Sequence, residues 1–318
     1  MKRIVAGRYE LGEVLGKGAT GQVFAARDIE EGHEVALKIL DPSLAGDENF
    51  VARFKREVRI LQGVASRSVV PILSAGWDGK TFFIAYERLY GETLDKRLRR
   101  VARLPMSEAR PLVRQLLKAL AATHEVGVIH RDVKPANIFL EGGDARKAER
   151  LRLLDFGISK WEAGDGHGTL SALTRTGDVL GTCRYMAPEQ FENPADVDGR
   201  ADLFAAGAVA FRILTGAMPY GGGDSLALIM TNVLTLPPRT LQTVTGVSWP
   251  TSLEDFFTRA FVHRDERFGS ASEMLDAWMD APTGSDVPEP SSFQPEPLAQ
   301  YADSASGNDT RSDSTHPA

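Results

Sequence analysis

His130-Arg131-Asp132-Val133-Lys134-Pro135-Ala136-Asn137 places a carboxylate, an ammonium and an amide within eight positions. Pro135 makes the segment a rigid loop rather than the interior of a helix. Asp132 can accept a hydroxyl proton, Lys134 can neutralise charge on a moving phosphoryl group, and Asn137 can hold a metal ion through its carbonyl oxygen. A loose phosphoryl-transfer transition state spreads charge over several oxygens, so it needs such donors and cations fixed in advance.

Upstream, Gly16-Lys17-Gly18-Ala19-Thr20-Gly21-Gln22-Val23 follows the alternating stretch Tyr9 to Leu15. Three glycines at this spacing also suit a dinucleotide-binding loop, but such a loop opens a helix. Here Gln22 to Arg27 reads as a returning strand closed by the turn Glu30-Glu31-Gly32-His33. The glycines then cap a hairpin whose backbone can lie flat over phosphates, with no Cβ in the way. The next strand, Glu34 to Leu40, carries Lys38 inside an apolar run, on the face of Ala36 and opposite Val35, Leu37 and Ile39. A buried ammonium needs a partner. Glu57 offers one, on a helix around Asn49 to Gln62 whose Phe50, Phe54, Val58 and Leu61 recur at helical spacing. A local Glu57–Arg53 contact is the competing reading; Asp155-Phe156-Gly157, at the end of the apolar strand Leu151 to Leu154, favours the pairing with Lys38. At a strand end the Asp155 carboxylate can bridge metal and phosphates.

Taken together these stretches resemble the eukaryotic-like (Hanks-type) serine/threonine protein kinases, most of all their bacterial members, from about Tyr9 to about Asp280. The likeness continues through Ala187-Pro188-Glu189 and Asp202 to Gly207 and ends near Arg267. It implies an α+β, two-lobed fold: a small antiparallel β-sheet lobe with one helix over 1–89 and a larger, mainly helical lobe over 90–280. It implies ATP with Mg²⁺, Mn²⁺ being compatible, and protein substrates. The catalytic set it implies is Asp132, Lys134, Lys38 and Glu57, with Asn137 and Asp155 on the metal. Leu15, Gly16, Gly18, Gly21, Val23, Ala36, Lys38, Glu87, Leu89, Asn137, Phe139 and Asp155 would surround the nucleotide. Tyr86 falls at the gatekeeper position, and Glu87 and Leu89 at the hinge. His130, Phe156, Leu61 and Leu73 resemble the apolar column that aligns the lobes, and Glu189 should pair with Arg267. Lysine two residues after the catalytic aspartate is the serine/threonine pattern in this family, and Thr182 sits where members shape the pocket for the target hydroxyl.

Departures from the pattern are few. Asp265-Glu266 stands for the usual Asp-Pro, which should affect only a turn, and Ser66-Arg67-Ser68 replaces the usual His-Pro element after the Glu57 helix. The charged excursion Glu141 to Arg150 reads as a solvated loop rather than a docking site.

Composition agrees with this reading. A chain of 318 residues with 42% hydrophobic content can build two cores. The most apolar run, Leu203 to Phe211, is far short of the ~20 residues a bilayer demands and reads as a buried central helix, with no membrane span elsewhere. Thr251-Ser252-Leu253-Glu254 and Ser270-Ala271-Ser272-Glu273 read as capping boxes opening two late helices. The N-terminus has basic residues without an apolar core behind them, so no signal peptide is expected. The single cysteine, Cys183, precludes an internal disulfide and suits a reducing cytoplasm; a small apolar filler is favoured for it over a redox switch beside Thr182.

Residues 281–318 are rich in Pro, Ser, Asp and Gly and read as a disordered acidic tail. Six acids against Arg311 give it −5 of the chain's −6, which leaves the body near neutral and argues against a nucleic-acid partner. Its serines and threonines could be phosphorylated, with plain solvation the favoured reading. By the family likeness, Arg131 would clamp a phosphate on the segment Ser159 to Met186. Thr174 and Thr176 are the candidate regulatory phosphosites, with Thr169 and Ser171 behind them. A kinase-domain homodimer for trans-autophosphorylation fits that scheme. Two other classes compete: a pseudokinase-type scaffold, against which Lys38, Asp132, Asn137 and Asp155 are all retained, and a small-molecule kinase of related fold, against which Gly181 to Glu189 argues.

Overall fold

Period-two alternation in the first ninety residues builds a sheet, and 3.6-residue periodicity in the rest builds helices. The structure is a computed structural model that describes residues 3–18, 21–41, 48–142, 149–156, 179–221, 223, 225–283 and 287–289, without the side chains of 48–54, 179 and 180. Thr174, Thr176, Gly157 and residues 290–318 therefore lie outside the described residues.

Among the described residues, β1 (Ile4–Val5), β2 (Tyr9–Gly18), β3 (Gly21–Asp28), β4 (Glu34–Leu40), β5 (Ile72–Asp78) and β6 (Thr81–Glu87) form one antiparallel sheet in the order β1-β2-β3-β4-β6-β5. Directly opposed residues in such a sheet share a face. The pairs Val23↔Lys38, Ala25↔Ala36, Lys38↔Ile84 and Ala36↔Tyr86 thus put Lys38 and the small or apolar residues around it on one side. Val35, Leu37 and Ile39 take the other side, where they pack with Val5, Tyr9, Ala26, Phe83 and Ala85. Helix α1 (Glu48–Gln62) covers the Lys38 side: its Val58 and Leu61 meet Leu40, Phe82 and Ile84. Each such side chain, fully buried, contributes roughly 1.5–3 kcal/mol.

The chain then crosses to a three-stranded sheet, β7 (Gly91–Thr93), β8 (Ile138–Glu141) and β9 (Arg150–Leu153), set among α2 (Leu94–Val101) and α3 (Met106–Glu125). The remaining described helices are α4 (Val179–Cys183), α5 (Pro188–Glu192), α6 (Arg200–Thr215), α7 (Leu226–Thr235), α8 (Leu241–Thr245), α9 (Thr251–Phe261) and α10 (Ala271–Asp280). Helix α6 is buried from Ala201 through Thr215, so the apolar run is the axis of the larger lobe. Gly207 lets α9 come close: a Cβ there would lie 2.8 Å from the Ala260 Cβ. Phe204, Phe211, Phe257, Phe256 and Trp278 complete that core in edge and tilted ring contacts. No described helix is long and apolar enough to cross a membrane.

Three local expectations need correction or refinement. Thr251 does not cap α9; it is the first helical residue after Pro250, which makes no side-chain cap. Glu254 instead accepts hydrogen bonds from the Leu241 and Gln242 amides at 2.9 and 2.8 Å, capping the neighbouring short helix α8. Ser270 does cap α10, accepting from the Glu273 amide at 3.1 Å, while the Glu273 carboxylate reaches back to Gly269 rather than to Ser270. Leu73 is exposed and cannot belong to a buried column; the register shift between Ile72 and Ser74 turns Ile72 inward against the Leu61 cluster instead. Packing also runs past Asp280, because Ala281 and Val287 are buried in the main core.

Candidate active site

The 130–137 loop is held from below by one buried carboxylate. Asp202, at the start of α6, accepts hydrogen bonds from the His130 and Arg131 amides at 2.8 and 2.7 Å and contacts His124 Nε2 at 2.8 Å. Those bonds fix Arg131 at φ 60, a left-handed conformation that a non-glycine residue adopts only when its surroundings enforce it. His130 Nε2 donates to the Leu154 carbonyl at 2.8 Å, and its Nδ1 accepts from the Asp132 amide at 3.2 Å. Burial holds the His130 imidazole below its ordinary pKa, so it serves as a neutral ring with a fixed tautomer. Its ring stands 4.6 Å from that of Phe156.

Above this support the reactive groups converge. Asn137 Nδ2 donates to the Asp132 carbonyl at 2.8 Å and to its carboxylate at 3.0 Å. Lys134 Nζ lies 3.1 Å from the same carboxylate and donates to Thr182 Oγ1 at 2.6 Å. The sequence placed Thr182 near the hydroxyl pocket; the structure bonds it to the lysine that flanks Asp132. With its amide nitrogen committed to Asp132, Asn137 has a carbonyl oxygen that could meet a cation. Together with the Asp155 carboxylate that is an all-oxygen donor set, the kind a hard divalent ion such as Mg²⁺ or Mn²⁺ takes.

Lys38 Nζ reaches Asp155 Oδ1 at 2.8 Å, with Asp155 at φ 41 just beyond β9. Asp155, expected at the metal and phosphates, is thus the partner that holds Lys38, where the sequence favoured Glu57. A buried ammonium takes the carboxylate whose backbone already delivers it. Asp155 is delivered by a strand end, whereas Glu57 rides on a helix whose approach the sequence does not set. The half-buried Glu57 bears electrostatically on Arg131, whose guanidinium burial disfavours and whose charge Asp202 and Glu57 sustain. The Tyr86 hydroxyl is pushed well above its usual range, first by burial and then by the negative charge of Asp155, and stays a neutral phenol beside the Lys38 pair.

The glycine hairpin divides into two kinds of glycine. Gly21, at φ +142, would drive a Cβ to 2.0 Å from the Ile39 carbonyl, so the fold itself demands it. A Cβ on Gly16 or Gly18 would meet nothing within 4 Å, so the absence of a side chain there leaves a bare backbone available to a ligand. Leu15 is exposed and Val23 and Ala36 are half-buried in the sheet lobe, and Phe139 on β8 is half-buried as well. Leu89 is buried at the connection between the lobes.

That connection carries a charge network that sequence reasoning missed. Arg152, on β9 and buried, bonds Glu87 at the end of β6, Glu141 on β8 at 3.0 Å and the Arg67 carbonyl at 2.9 Å. The signal was present, since Arg152 interrupts an apolar strand as Lys38 does. The neighbouring segment docks as well: the Leu153 amide donates to the Ser68 carbonyl at 2.7 Å and the Val70 amide to the Leu153 carbonyl at 3.1 Å. Asp202 was missed as a site residue although it borders the most apolar run. Farther off, Arg267 holds Glu189 in a two-pronged pair at 2.7 and 3.3 Å, as the sequence led one to expect. A cavity of about 580 Å³, lined by His33, Glu34, Pro71, Leu73, Glu87, Arg88 and Tyr90, shares only Glu87 with the expected site residues.

Comparison with known proteins points the same way. The family described as "Protein kinase domain" matches residues 9–276. A probable serine/threonine-protein kinase of Corynebacterium efficiens, CE0033, is 35% identical over 283 residues, covering 86% of this chain and 41% of that protein. The serine/threonine-protein kinase pkn2 of Myxococcus xanthus is 37% identical over 219 residues, 69% of this chain and 26% of its own length. The chain thus spans well under half the length of these curated relatives. Among solved structures, the Mycobacterium tuberculosis PknI kinase domain superposes with a TM-score of 0.67 at 28% identity, covering 88% of this chain and 98% of that domain.

Proposed function

This chain belongs to the protein kinase domain family, and from that premise we propose that it is a serine/threonine protein kinase transferring the γ-phosphoryl group of ATP to protein hydroxyls. The observation that carries this reading is the Asp132–Lys134–Asn137–Thr182 constellation, closed at 2.6 to 3.1 Å. In this reading Asp132 accepts the proton of a Ser or Thr hydroxyl, its carboxylate oriented by the Asn137 amide. Lys134, within reach of both Asp132 and Thr182, supplies positive charge where the transferred group would pass. Lys38 is assigned to the nucleotide phosphates, Glu57 as the helix carboxylate available to Lys38, and the open backbone at Gly16 and Gly18 to covering the phosphates. Leu15, Val23, Ala36, Leu89 and Phe139 are assigned to the base, with Glu87 at the hinge. Asn137 and Asp155 would hold a divalent ion, which when bound neutralises phosphate charge.

Residues 1–280 carry this activity in the proposal, with packing continued to Val287 and the acidic stretch as an appendage. Regulation through phosphate at Thr174 and Thr176, clamped by Arg131, remains the scheme to test, with a second copy as the phosphorylating partner. A cytoplasmic setting is consistent with the lone cysteine, Cys183, which is buried. The deciding experiment supplies labelled ATP and Mg²⁺ to the purified chain and to Asp132→Asn, then maps phosphate by mass spectrometry. Transfer to Ser or Thr that falls by roughly 10²–10⁴-fold in the variant is the expected result. Equal transfer by both proteins, or none by the wild type to itself or to a general protein acceptor, overturns the proposal.

A further inference from the structure

Arg152 stands between the residues assigned to the two ends of the nucleotide. In the β8–β9 pairing it lies directly opposite Phe139, so the two side chains share a face, and it precedes Asp155 by three residues. The guanidinium is buried, and its three nitrogens are spent on three different segments. Nη2 bonds the Glu87 carboxylate at the end of β6, Nε donates to the Glu141 carboxylate on β8 at 3.0 Å, and Nη1 donates to the Arg67 carbonyl at 2.9 Å. The planar fork of an arginine can serve three directions at once, which the point charge of a lysine cannot do in fixed geometry.

The backbone beside it is closed in the same way. The Leu153 amide donates to the Ser68 carbonyl at 2.7 Å, the Val70 amide to the Leu153 carbonyl at 3.1 Å, and the Glu87 amide to the Pro71 carbonyl at 3.1 Å. Residues 67–71 thus splice Glu87 to β9, and Arg152 locks the splice with its side chain. Just beyond, the Leu154 amide donates to the Asn137 carbonyl at 2.8 Å, and Asp155 follows at φ 41. Both residues assigned to the divalent ion are therefore attached to the strand end whose place relative to Glu87 is held by Arg152.

We propose that Arg152 is a positioning residue for the nucleotide. It sets the span between the hinge at Glu87, assigned to the base, and the Asn137–Asp155 pair, assigned to the metal and phosphates. The inference deepens the kinase reading and rests on it. A ligand that reaches two subsites gains from both only when their spacing matches its own length. Adenosine occupies the base subsite alone, whereas Mg²⁺·ATP must occupy both. Releasing Arg152 lets the subsites drift apart, which weakens Mg²⁺·ATP and leaves adenosine as it was.

The test titrates the full chain with adenosine and with Mg²⁺·ATP, followed by ligand-observed NMR so that weak binding is still read. The variants are Arg152→Met/Glu87→Gln/Glu141→Gln, which strands no ion and keeps the hinge backbone, and Arg152→Lys, which keeps the charge without the fork. A single cooperative urea transition shows that each folds. In both, the dissociation constant of Mg²⁺·ATP should rise by roughly tenfold or more while that of adenosine stays within about twofold. A general loosening of the cleft would weaken the two ligands together. Parallel weakening, or Mg²⁺·ATP bound as tightly as by the wild type in either folded variant, overturns the positioning role and leaves the kinase reading standing. A wild type that binds no Mg²⁺·ATP overturns the kinase reading, and this inference with it.

Discussion

The hairpin glycines separate two demands that one motif conceals. Gly21 is required by packing, because its Cβ would overlap the Ile39 carbonyl, whereas Gly16 and Gly18 face open space. Gly21→Ala is therefore expected to lower stability in urea by about 2 kcal/mol or more, as strained and overpacked substitutions do. Gly18→Ala should leave stability within about 0.5 kcal/mol and act on the apparent KM for ATP. Equal stability loss in both would contradict the division. His130 makes a second residue-scale prediction. Burial keeps its folded pKa below the ordinary 6.5, so between that lowered value and 6.5 the unfolded chain binds more protons than the folded one. Its contribution is complete above pH 6.5 and is lost as pH falls toward the folded value. Stability measured from pH 7 down to pH 5 should decline less steeply in His130→Phe than in the wild type; parallel declines would remove His130 as the cause.

At the scale of elements, the Arg267–Glu189 pair joins α5 to the turn after α9. Arg267 is fully buried and also donates to the Arg200 and Val262 carbonyls. Arg267→Ala leaves the Glu189 carboxylate buried without its cation, and a loss of about 3–5 kcal/mol is expected. Glu189→Gln/Arg267→Met should cost less than Arg267→Ala, since an uncharged pair strands no ion. Calorimetry of the single and double variants checks the order, and the reverse order would mean that the pair's own attraction dominates. The capping pattern has the same character. The sequence Thr-Ser-Leu-Glu promises a cap for its own helix, yet Glu254 caps α8 because tertiary packing brings the α8 amides within 2.9 Å.

For the whole molecule, Arg152 is one of the ties between the lobes, beside the Lys38–Asp155 pair. Its guanidinium lies between Glu87 of the sheet lobe and Glu141 of the helical lobe. Arg152→Met would leave two carboxylates facing each other across the hinge, and should lower stability by about 3 kcal/mol. Neutralising both partners, Glu87→Gln with Glu141→Gln, should recover most of the loss. Chemical denaturation of the variants decides this, and a single variant as stable as wild type would show the network to be idle.

The residue pattern alone determined a good deal. Strand Glu34–Leu40 with Lys38 opposite Val35 and Leu37, helix Glu48–Gln62 and the buried α6 all followed from periodicity and flanking residues, because the alternation of burial is written directly in the order of side chains. The 130–137 loop was legible because its chemistry lies within eight consecutive positions. The tertiary structure decided what distance along the chain hides: that Lys38 pairs with Asp155, 117 residues away, that Asp202 carries the loop, that Ile72 rather than Leu73 turns inward, and that Arg152 joins the lobes. Those outcomes depend on which of several chemically equivalent partners the packed backbone brings within 3 Å, a competition settled by three-dimensional placement and invisible to spacing.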